Sequence, residues 1–286
     1  MTDTQTKLYA ILGSPVSHSL SPYIYNLSFE KDRLNAAYLA FDCKPDKLKN
    51  VLTALKTLGF KGGNVTYPLK RDFYKLSDFL SGEASFTGSV NCFKIGDDKK
   101  IYGYNTDCIG FENFLKSKHI STSDKNILLI GAGGAGSAIG YALASSGAKK
   151  LYIKGNTLQK PISLIKKIRE NFSNIDVDLV KDDDQLRAAI CNMDLIINAT
   201  PVGMGGSSKL PVPQDIVLNK ESIAVDIIYN PLKTPFLKKC ELCGMKTYNG
   251  LGMLIHQAED CYKLWTNSSL DIEFIQNKIK TKLALF

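Results

Sequence analysis

The sequence lacks the features that would assign it to a membrane or to a secretory route. No apolar run reaches the ~18–20 residues that a membrane-spanning helix needs. The first residues, MTDTQTKLYAIL, contain neither a basic n-region nor a signal-type apolar core. Cysteine is limited to seven scattered residues, an odd number that is typical of reduced thiols rather than of a disulfide framework. We therefore expect a cytoplasmic protein that is neither exported nor bound to a membrane.

Histidine is also scarce, with three residues in the chain, which weakens any case for a metal site. The C-x-x-C pair formed by Cys240 and Cys243 has no second pair to complete a zinc site. The apolar spacing around it predicts a short helix that ends at Gly244, in which both cysteines pack as small apolar side chains. We therefore predict no metal.

Arginine-rich runs and aromatic stacking motifs are absent too, although the net charge is +8. A nucleic-acid-binding protein concentrates its positive charge on one face or in one segment. Here the lysines are spread over most of the chain, and such a diffuse field suits small anionic ligands such as a carboxylate or a nucleotide. We expect small-molecule ligands and no nucleic acid.

What is present points to two α/β domains. At 286 residues the chain is longer than most single domains. In the first part strands alternate with helices, which favours a small α/β domain with a mostly parallel sheet and a boundary near Asn105. The predicted strands are Lys7–Leu12, Ala36–Asp42, Phe60–Thr66, Val90–Ile95 and Lys99–Tyr104, and the predicted helices are Asp46–Leu58, Lys70–Phe79 and Ile109–Leu115.

A glycine-rich turn organises the second part. The apolar segment Asn126–Ile130 predicts a buried parallel strand, and Ser137–Ser146 predicts a helix of small residues. The G-x-G-x-x-G pattern between them is typical of dinucleotide binding. Gly131 permits the tight turn, Gly133 lets a pyrophosphate approach the backbone, and Gly136 lets strand and helix pack closely. The alternative is a glycine-rich loop before an ordinary helix.

Beyond this turn the alternation of strands and helices is regular and predicts a Rossmann-type domain. The predicted strands are Lys149–Lys154, Ile175–Val180, Asp194–Asn198 and Ser222–Ile228, the predicted helices between them are Ile162–Phe172 and Asp184–Cys191, and two more helices, Gly250–Thr266 and Leu270–Leu285, end the chain.

The loop Gly13–Asn26 is rich in serine and proline and precedes a predicted helix that starts at Pro22. Ser19 and Ser21 would bring hydroxyl groups to the point where the helix begins, which is a suitable place for a carboxylate. The alternative is that one of these serines only caps the helix.

Asn64, Thr66 and Lys70 cluster at the carboxyl end of the strand Phe60–Thr66. Ligands of open α/β sheets bind at that edge. We therefore expect these side chains to contact a ligand.

Five motifs follow one another along the chain: GSPVSHSLSP, NVTYPLK, GYNTD, GAGGAG and NGLGMLIHQ. Together they resemble the shikimate dehydrogenase family, whose members reduce 3-dehydroshikimate with NADPH. The resemblance runs essentially from end to end and is most specific in the second and third motifs. The segments GSVN at Gly88–Asn91, NATPVGM at Asn198–Met204 and DIIYNPLKTPFL at Asp226–Leu237 resemble the family as well.

The resemblance implies roles for particular residues. It assigns Lys70 and Asp107 to the catalytic pair. It assigns to the substrate carboxylate and ring hydroxyls the residues Ser19, Ser21, Asn64, Thr66, Asn91, Thr106, Tyr229 and Gln257. It assigns to the cofactor the residues Gly131, Ala132, Gly133, Gly134, Ala135, Gly136, Thr200, Gly250 and Met253. The chemistry of Lys154, Asn156, Thr157 and Lys160, rather than the resemblance, makes these four residues candidates for the 2′-phosphate of the cofactor.

The chemistry of ketone reduction requires the same types of residue at the centre of the site. Addition of hydride to a ketone leaves an alkoxide, which must gain a proton from a nearby donor. The ammonium of Lys70 can stabilise that charge and supply the proton. The carboxylate of Asp107 can orient the lysine and accept a hydrogen bond from a neighbouring hydroxyl.

The sequence departs from the family pattern at four places. Tyr25, Tyr67 and Cys108 flank the site and leave the predicted reaction unchanged. After the second strand of the Rossmann-type domain, the arginine that the family uses for adenine and the 2′-phosphate is missing. Lys154-Gly155-Asn156-Thr157 and Lys160 stand there instead, without the acidic residue of an NAD site. We predict that NADP is preferred over NAD but is bound more weakly and with more salt sensitivity than at an arginine site, because lysine offers only a point charge. The alternative is that Lys154 and Lys160 are ordinary surface lysines.

The resemblance also implies a divided substrate domain, formed by residues 1–105 and 250–286, with the NADP-binding domain at 106–249. We expect the two to face each other across a cleft, in a monomer or a homodimer. Two alternatives remain open: an NAD-dependent quinate/shikimate dehydrogenase, and a non-catalytic sensor of a shikimate-type ligand on the same fold.

Overall fold

The computed structural model describes residues 2–283 and divides the chain into two compact units. The first unit comprises Met1–Gly110 and Ile255–Phe286, and the second comprises Phe111–Leu254. Both boundaries lie a few residues after those predicted at 105 and 250. Among residues 2–283, no helix is both long enough and apolar enough to cross a membrane.

The helices along the chain are α1 (Ser21–Lys31), α2 (Leu48–Thr57), α3 (Lys70–Leu76), α4 (Gly82–Thr87), α5 (Thr106–Ser117), α6 (Gly134–Ser145), α7 (Gln159–Asn171), α8 (Asp183–Ile190), α9 (Pro235–Leu242), α10 (Leu251–Thr266) and α11 (Ile272–Leu283). Short 3₁₀ turns occur at Pro45–Lys47 and Met204–Gly206. The boundaries between the units fall within α5 and α10.

The first unit contains a six-stranded mixed sheet. Its strands are β1 (Lys7–Gly13), β2 (Ala36–Asp42), β3 (Gly62–Val65), β4 (Phe79–Leu80), β5 (Cys92–Ile95) and β6 (Ile101–Tyr104). Their order in the sheet is β2-β1-β3-β5-β6-β4. The pairs β1–β2, β1–β3 and β4–β6 are parallel, whereas β5 runs antiparallel to β3 and also to β6, with which it forms a hairpin.

An aromatic cluster forms part of the core of the first unit. The ring of Trp265, on α10, lies 5.1 Å from Tyr9, 4.9 Å from Tyr25 and 5.9 Å from Tyr38. Its indole Nε1 donates a hydrogen bond to the carbonyl of Phe93 at 3.0 Å. This contact ties the end of the chain to the sheet, and it satisfies the polar atom of an otherwise apolar side chain.

The second unit contains the parallel sheet of a Rossmann-type fold. Its strands are β7 (Asn126–Ile130), β8 (Lys150–Lys154), β9 (Asp176–Val180), β10 (Leu195–Asn198), β11 (Ile223–Asp226) and β12 (Lys246–Tyr248), in the order β12-β11-β10-β7-β8-β9. All five pairings between these strands are parallel. The strand order reverses beside β7, and such a switch point is where open α/β sheets bind ligands. The predicted fold class is confirmed.

Several helices begin earlier than their apolar spacing predicts. α5 begins at Thr106 rather than at Ile109, because the Asn105 side chain accepts a hydrogen bond from the Asp107 amide at 3.2 Å and so caps the helix. α6 begins at Gly134 rather than at Ser137, and α7 begins at Gln159 rather than at Ile162. Each early start places residues of the predicted site in the first turn of a helix.

Three elements have no counterpart in the sequence-based prediction, namely α4 and the short edge strands β4 and β12. The helix predicted to extend to Phe79 ends at Leu76, and Phe79 lies in β4. Helix α4 is defined by its ends: Ser81 caps it through the Ala84 amide, and Gly88 ends it with φ 64°. The predicted last helix extends to Leu285, and its residues 284–285 lie outside the described residues.

The C-x-x-C pair divides between two environments. Cys240 lies in α9 and is fully buried in the core of the second unit, as predicted. Cys243 follows the helix and is exposed, so its predicted packing role is wrong. Helix α9 ends before Cys243, and this turns its side chain towards solvent.

Candidate active site

The centre of the candidate site is an ion pair between Lys70 and Asp107. The Lys70 Nζ lies 2.6 Å from the Asp107 Oδ2, and the two side chains retain 26% and 13% of their exposure. Lys70 is the first residue of α3 and Asp107 lies in the first turn of α5. A carboxylate there interacts favourably with the helix dipole. The pair is therefore held by two helix starts, with Asp107 buried and Lys70 partly accessible from solvent.

An amide side chain links this pair to further polar groups. The Asn91 Nδ2 donates to the Asp107 Oδ1 at 2.8 Å and to the Thr106 Oγ1 at 3.0 Å, and it lies 3.3 Å from the Gln257 Oε1. The Asn91 Oδ1 accepts from the Thr106 amide at 2.8 Å. Asn91, Thr106, Asp107 and Gln257 are all buried. The structure thus joins three separate parts of the sequence, namely Asn91, the adjacent pair Thr106 and Asp107, and Gln257.

Asn64 forms a second branch of the same network. Its Oδ1 accepts a hydrogen bond from the Tyr38 hydroxyl at 2.6 Å. Its Nδ2 donates to the carbonyl of Asn91 at 3.1 Å and to the Cys261 Sγ at 3.2 Å. Because both ends of the amide have partners, its orientation is determined by its surroundings.

The serine-rich loop leads directly into α1. The Ser21 amide donates to the Ser19 Oγ at 3.2 Å, and Ser21 is buried. The N-cap position itself is Leu20, which makes no side-chain capping bond, so neither serine occupies it.

Thr66 lies between β3 and α3 and is half-buried. Its amide donates to the carbonyl of Leu12 at 2.9 Å, and its carbonyl accepts from the Leu69 amide at 2.9 Å. The backbone therefore turns at Thr66, immediately before Lys70.

The glycine turn after β7 has the shape of a pyrophosphate site. A Cβ at Gly136 would lie 1.9 Å from the Gly131 carbonyl oxygen, so strand and helix pack too closely for any side chain. A Cβ at Gly133 or Gly134 would meet no atom within 4 Å. The backbone amides at the start of α6 therefore face open space, where an anion can approach them and the helix dipole favours it. The residues present fit a dinucleotide.

The end of β8 lies beside this turn, because the Gly131 amide donates to the Lys154 carbonyl at 2.7 Å. The Lys154 side chain, however, forms an ion pair with Asp183 at 3.1 Å and is largely covered. Lys160 is exposed in the first turn of α7, and Asn156 and Thr157 are exposed before it. The charge of Lys154 is therefore already balanced within the protein.

A buried network holds the segment that contains Thr200. The Asn198 Oδ1 accepts from the Thr200 hydroxyl at 2.6 Å, and the Asn198 Nδ2 donates to Asp226 at 3.1 Å. The Thr234 hydroxyl donates to the other oxygen of Asp226 at 2.7 Å. Burial raises the pKa of Asp226, and the hydrogen bonds that it accepts oppose that rise. This carboxyl group fixes the loops after β10 and β11.

The last predicted positions lie on the loops that follow β11 and on α10. Tyr229 follows β11, and burial raises the pKa of its hydroxyl. The Gly250 amide donates to the Ile228 carbonyl at 3.0 Å, and Met253 is buried in the first turn of α10. These three residues belong to the second unit, whereas Lys70, Asp107 and Gln257 belong to the first.

No group of three or more His, Cys, Asp or Glu side chains within residues 2–283 is arranged to hold a metal ion.

Comparison with known proteins identifies the relatives of this chain. One protein-family model, the shikimate dehydrogenase substrate binding domain, matches residues 11–93. A second, shikimate / quinate 5-dehydrogenase, matches residues 113–205. A curated relative from Methanocaldococcus jannaschii, shikimate dehydrogenase (NADP(+)), is 38% identical over 99% of this chain and 100% of its own length.

The chain belongs to the shikimate dehydrogenase family.

Solved structures of family members agree with this assignment. A shikimate dehydrogenase in complex with NADP+ has a TM-score of 0.90 and 36% identity, covering 99% of this chain and 98% of its own. Shikimate 5-dehydrogenase from Listeria monocytogenes, in complex with shikimate and NAD, has a TM-score of 0.91 and 31% identity, covering 97% of this chain and 98% of its own. The predicted family is confirmed.

Within this shikimate dehydrogenase fold, the sequence-based assignment omitted three residues of the hydrogen-bond networks. Tyr38, Asp226 and Cys261 each hold the side chain of a neighbouring polar residue. Cys261 could have been found from the sequence, because it lies one helical turn beyond Gln257 and so on the same face. Tyr38 and Asp226 carried no such signal, since their partners lie on other strands.

Proposed function

We propose that the protein catalyses the reversible, NADPH-dependent reduction of 3-dehydroshikimate to shikimate. The observation that carries this proposal is the Lys70–Asp107 ion pair of 2.6 Å, set within buried amide and hydroxyl groups. A pocket of this composition is suited to a small, polyhydroxylated carboxylic acid. The relatives are named shikimate dehydrogenases, and this favours the proposed substrate over quinate.

Each side chain of the pair has a defined task. NADPH, when bound, supplies the hydride that adds to the ketone carbon. The ammonium of Lys70 stabilises the negative charge that develops on the ketone oxygen and donates a proton to it. Asp107 holds the ammonium in place through one oxygen, while Asn91 occupies the other. In the reverse direction Lys70 accepts the hydroxyl proton.

The surrounding residues orient the substrate. Asn64, Thr66, Asn91, Thr106 and Gln257 bind the ring hydroxyls. The hydroxyl groups of Ser19, Ser21 and Tyr229 bind the carboxylate, together with the N-terminus of α1. Neutral donors suffice for this carboxylate because the helix N-terminus adds unpaired amide groups.

The second unit binds the cofactor, NADP. Residues 131–136 receive the pyrophosphate, with Thr200 nearby, and Gly250 and Met253 lie by the nicotinamide. Of the two candidate lysines, Lys160 is the principal cation for the 2′-phosphate, since Lys154 is neutralised by Asp183. Asn156 and Thr157 add neutral hydrogen bonds.

An assay with two cofactors tests this function. Purified protein should oxidise shikimate with NADP and show a lower kcat/KM with NAD. A lack of shikimate-dependent reduction of either cofactor would exclude the enzyme and favour a ligand sensor, which needs the pocket but not the proton donor. Better turnover of quinate with NAD would favour the quinate/shikimate alternative.

We also propose that the protein works in the cytoplasm as a monomer or a homodimer. The seven cysteines form no disulfide, which is typical of a reducing compartment. Size-exclusion chromatography with light scattering would decide the assembly.

A further inference from the structure

Cys261 lies behind the proposed substrate site, on α10, and is fully buried. Its Sγ is 3.2 Å from the Asn64 Nδ2 and 3.2 Å from the Thr106 Oγ1. It is one helical turn beyond Gln257, whose Oε1 lies 3.4 Å from the same Thr106 hydroxyl. A single sulfur atom therefore contacts two side chains that come from different parts of the chain.

A second buried thiol completes this arrangement. Cys92, on β5, is the direct cross-strand partner of Asn64 on β3 and is fully buried. Burial raises the pKa of the Cys92 thiol well above its usual value, so this thiol keeps its proton. An amide NH₂ group can only donate, so the Cys261 sulfur is the acceptor in its contact with the Asn64 Nδ2.

The Cys261 sulfur helps to fix the orientation of the Asn64 amide, as the hydrogen bonds of that amide show. The two protons of the Asn64 Nδ2 go to the Asn91 carbonyl and to Cys261, and its Oδ1 accepts from Tyr38. If the amide were flipped, its oxygen would face the Asn91 carbonyl, which cannot donate to it, and its Nδ2 would lose the acceptor sulfur. Asn64 therefore presents a fixed acceptor oxygen, with a remaining lone pair for a substrate hydroxyl.

Thr106 is constrained in the same way. Its hydroxyl lies within hydrogen-bond distance of Asn91, Gln257 and Cys261, all of which are buried. Without the sulfur, the hydroxyl could rotate between its two remaining partners.

We propose that Cys261 is a positioning residue, whose sulfur fixes the orientation of Asn64 and Thr106 for recognition of the ring hydroxyls of the substrate. The inference rests on the proposed function, since it assigns Asn64 and Thr106 to substrate hydroxyls. Cys261 acts through these two residues and need not touch the substrate itself.

Steady-state kinetics of two variants test the proposal. Cys261→Ala removes the acceptor, so KM for shikimate should rise roughly tenfold, as expected for the loss of two weak hydrogen bonds. The kcat should stay within about twofold, because the Lys70–Asp107 pair is untouched. Cys261→Ser keeps an acceptor at the same place and should restore most of the affinity. KM for NADP should not change in either variant.

Cys43→Ala is the matched control, because Cys43 is a buried thiol of the same unit that contacts only the Lys44 carbonyl among the described polar groups. It should lower thermal stability as much as Cys261→Ala without raising KM. A double-mutant cycle with Asn64→Ala should show that most of the Cys261→Ala effect disappears once Asn64 is gone.

The outcomes separate this inference from the proposed function. A parent protein without shikimate-dependent activity would overturn the function. An active parent whose KM for shikimate is unaffected by Cys261→Ala, or whose Cys261→Ser variant is as impaired as the alanine variant, would overturn the role of Cys261. A Cys261→Ala protein that no longer folds would also count against it, since the thiol would then be needed for packing.

Discussion

At the scale of single residues, the proposed mechanism gives Lys70 two functions. Its ammonium would stabilise the developing oxyanion and would also supply the proton that neutralises it. Its ion pair with Asp107 keeps the ammonium next to a carboxylate that is itself held by Asn91. No other described lysine forms an ion pair with a carboxylate that also binds the Asn91 amide.

Lys70→Ala should therefore lower kcat by ~10²–10⁴-fold, with a much smaller rise in KM, because general acid–base catalysis acts on the transition state. Initial-rate kinetics with shikimate and NADP measure both constants. Lys75→Ala, on the exposed side of the same helix, is the control and should leave kcat unchanged. Near-parental turnover in Lys70→Ala would show that another group donates the proton.

Burial of the Asp260 carboxyl group disfavours its ionised form and so affects the stability of the folded protein. Burial raises the pKa of its carboxyl group to about 6, with Lys263 lowering it and Glu259 raising it. One of its oxygens is buried without a described hydrogen-bond partner. The folded protein therefore keeps a proton at Asp260 between about pH 4 and 6, where the unfolded chain has lost it.

Because the folded state binds more protons in this range, the free energy of unfolding should fall as the pH rises from about 4 to about 6 and then level off. Asp260→Asn should remove this decrease in the free energy of unfolding. The variant should be more stable than the parent at pH 8 and gain nothing at pH 4, as measured by urea unfolding. Glu30→Gln, an exposed change, is the control and should show no such difference. A gain that is equal at both pH values would mean that packing rather than charge is responsible.

At the scale of elements, the starts of helices carry most of the proposed chemistry. Ser21, Lys70, Asp107 and Lys160 each lie in the first turn of a helix, where amide groups are unpaired. For anions this position adds attraction from the helix dipole. The early starts of α5 and α7 therefore matter for function, since they bring Asp107 and Lys160 into such turns.

The glycine turn offers a prediction that separates packing from cofactor binding. Gly136→Ala would place a methyl group 1.9 Å from the Gly131 carbonyl oxygen, so it should destabilise the protein by about 1–3 kcal/mol or more. Gly134→Ala fills open space and should leave stability intact, but it should raise KM for NADP. Thermal unfolding and cofactor kinetics on both variants check this. An unchanged KM in Gly134→Ala would place the pyrophosphate elsewhere.

Choice of cofactor depends on the residues after β8. Lys160→Ala should lower kcat/KM for NADP by about 3–10-fold without affecting NAD, since it removes an exposed charge from the 2′-phosphate. Lys154→Ala should have a smaller effect, because Asp183 already balances that lysine. The ratio of kcat/KM values at low and high salt measures the preference and its screening. Equal effects of the two substitutions would show that the ion pair opens when the cofactor binds.

Local sequence patterns predicted β7, the glycine turn and the alternation of strands and helices, because each depends on residues next to one another. They missed the start of α5, which depends on the Asn105 cap rather than on apolar spacing. They placed Cys261 one helical turn beyond Gln257 but could not show its contact with Asn64, which lies 197 positions away in the sequence. Contacts of that kind depend on the packing of α10 in the first unit, and no local pattern encodes them.

At the scale of the whole molecule, the two units differ in their organisation. The first has a mixed sheet and is formed by two separated segments of chain, and the second has a parallel sheet formed by one segment. The chain thus enters and leaves the second unit through α5 and α10. The hydrogen-bond network of the first unit draws on both of its segments, since Gln257 and Cys261 contact Asn91 and Asn64.

The sequence contains a single tryptophan, so tryptophan fluorescence reports on one unit only. Trp265 is buried among tyrosines of the first unit, so its emission should shift to longer wavelength when that unit opens and should not respond when the second unit opens alone. In Gly136→Ala, far-ultraviolet circular dichroism should therefore detect a transition before indole fluorescence does. Coincident transitions in that variant would mean that the units unfold together. The fluorescence of Trp265 can therefore distinguish the unfolding of the first unit from that of the second.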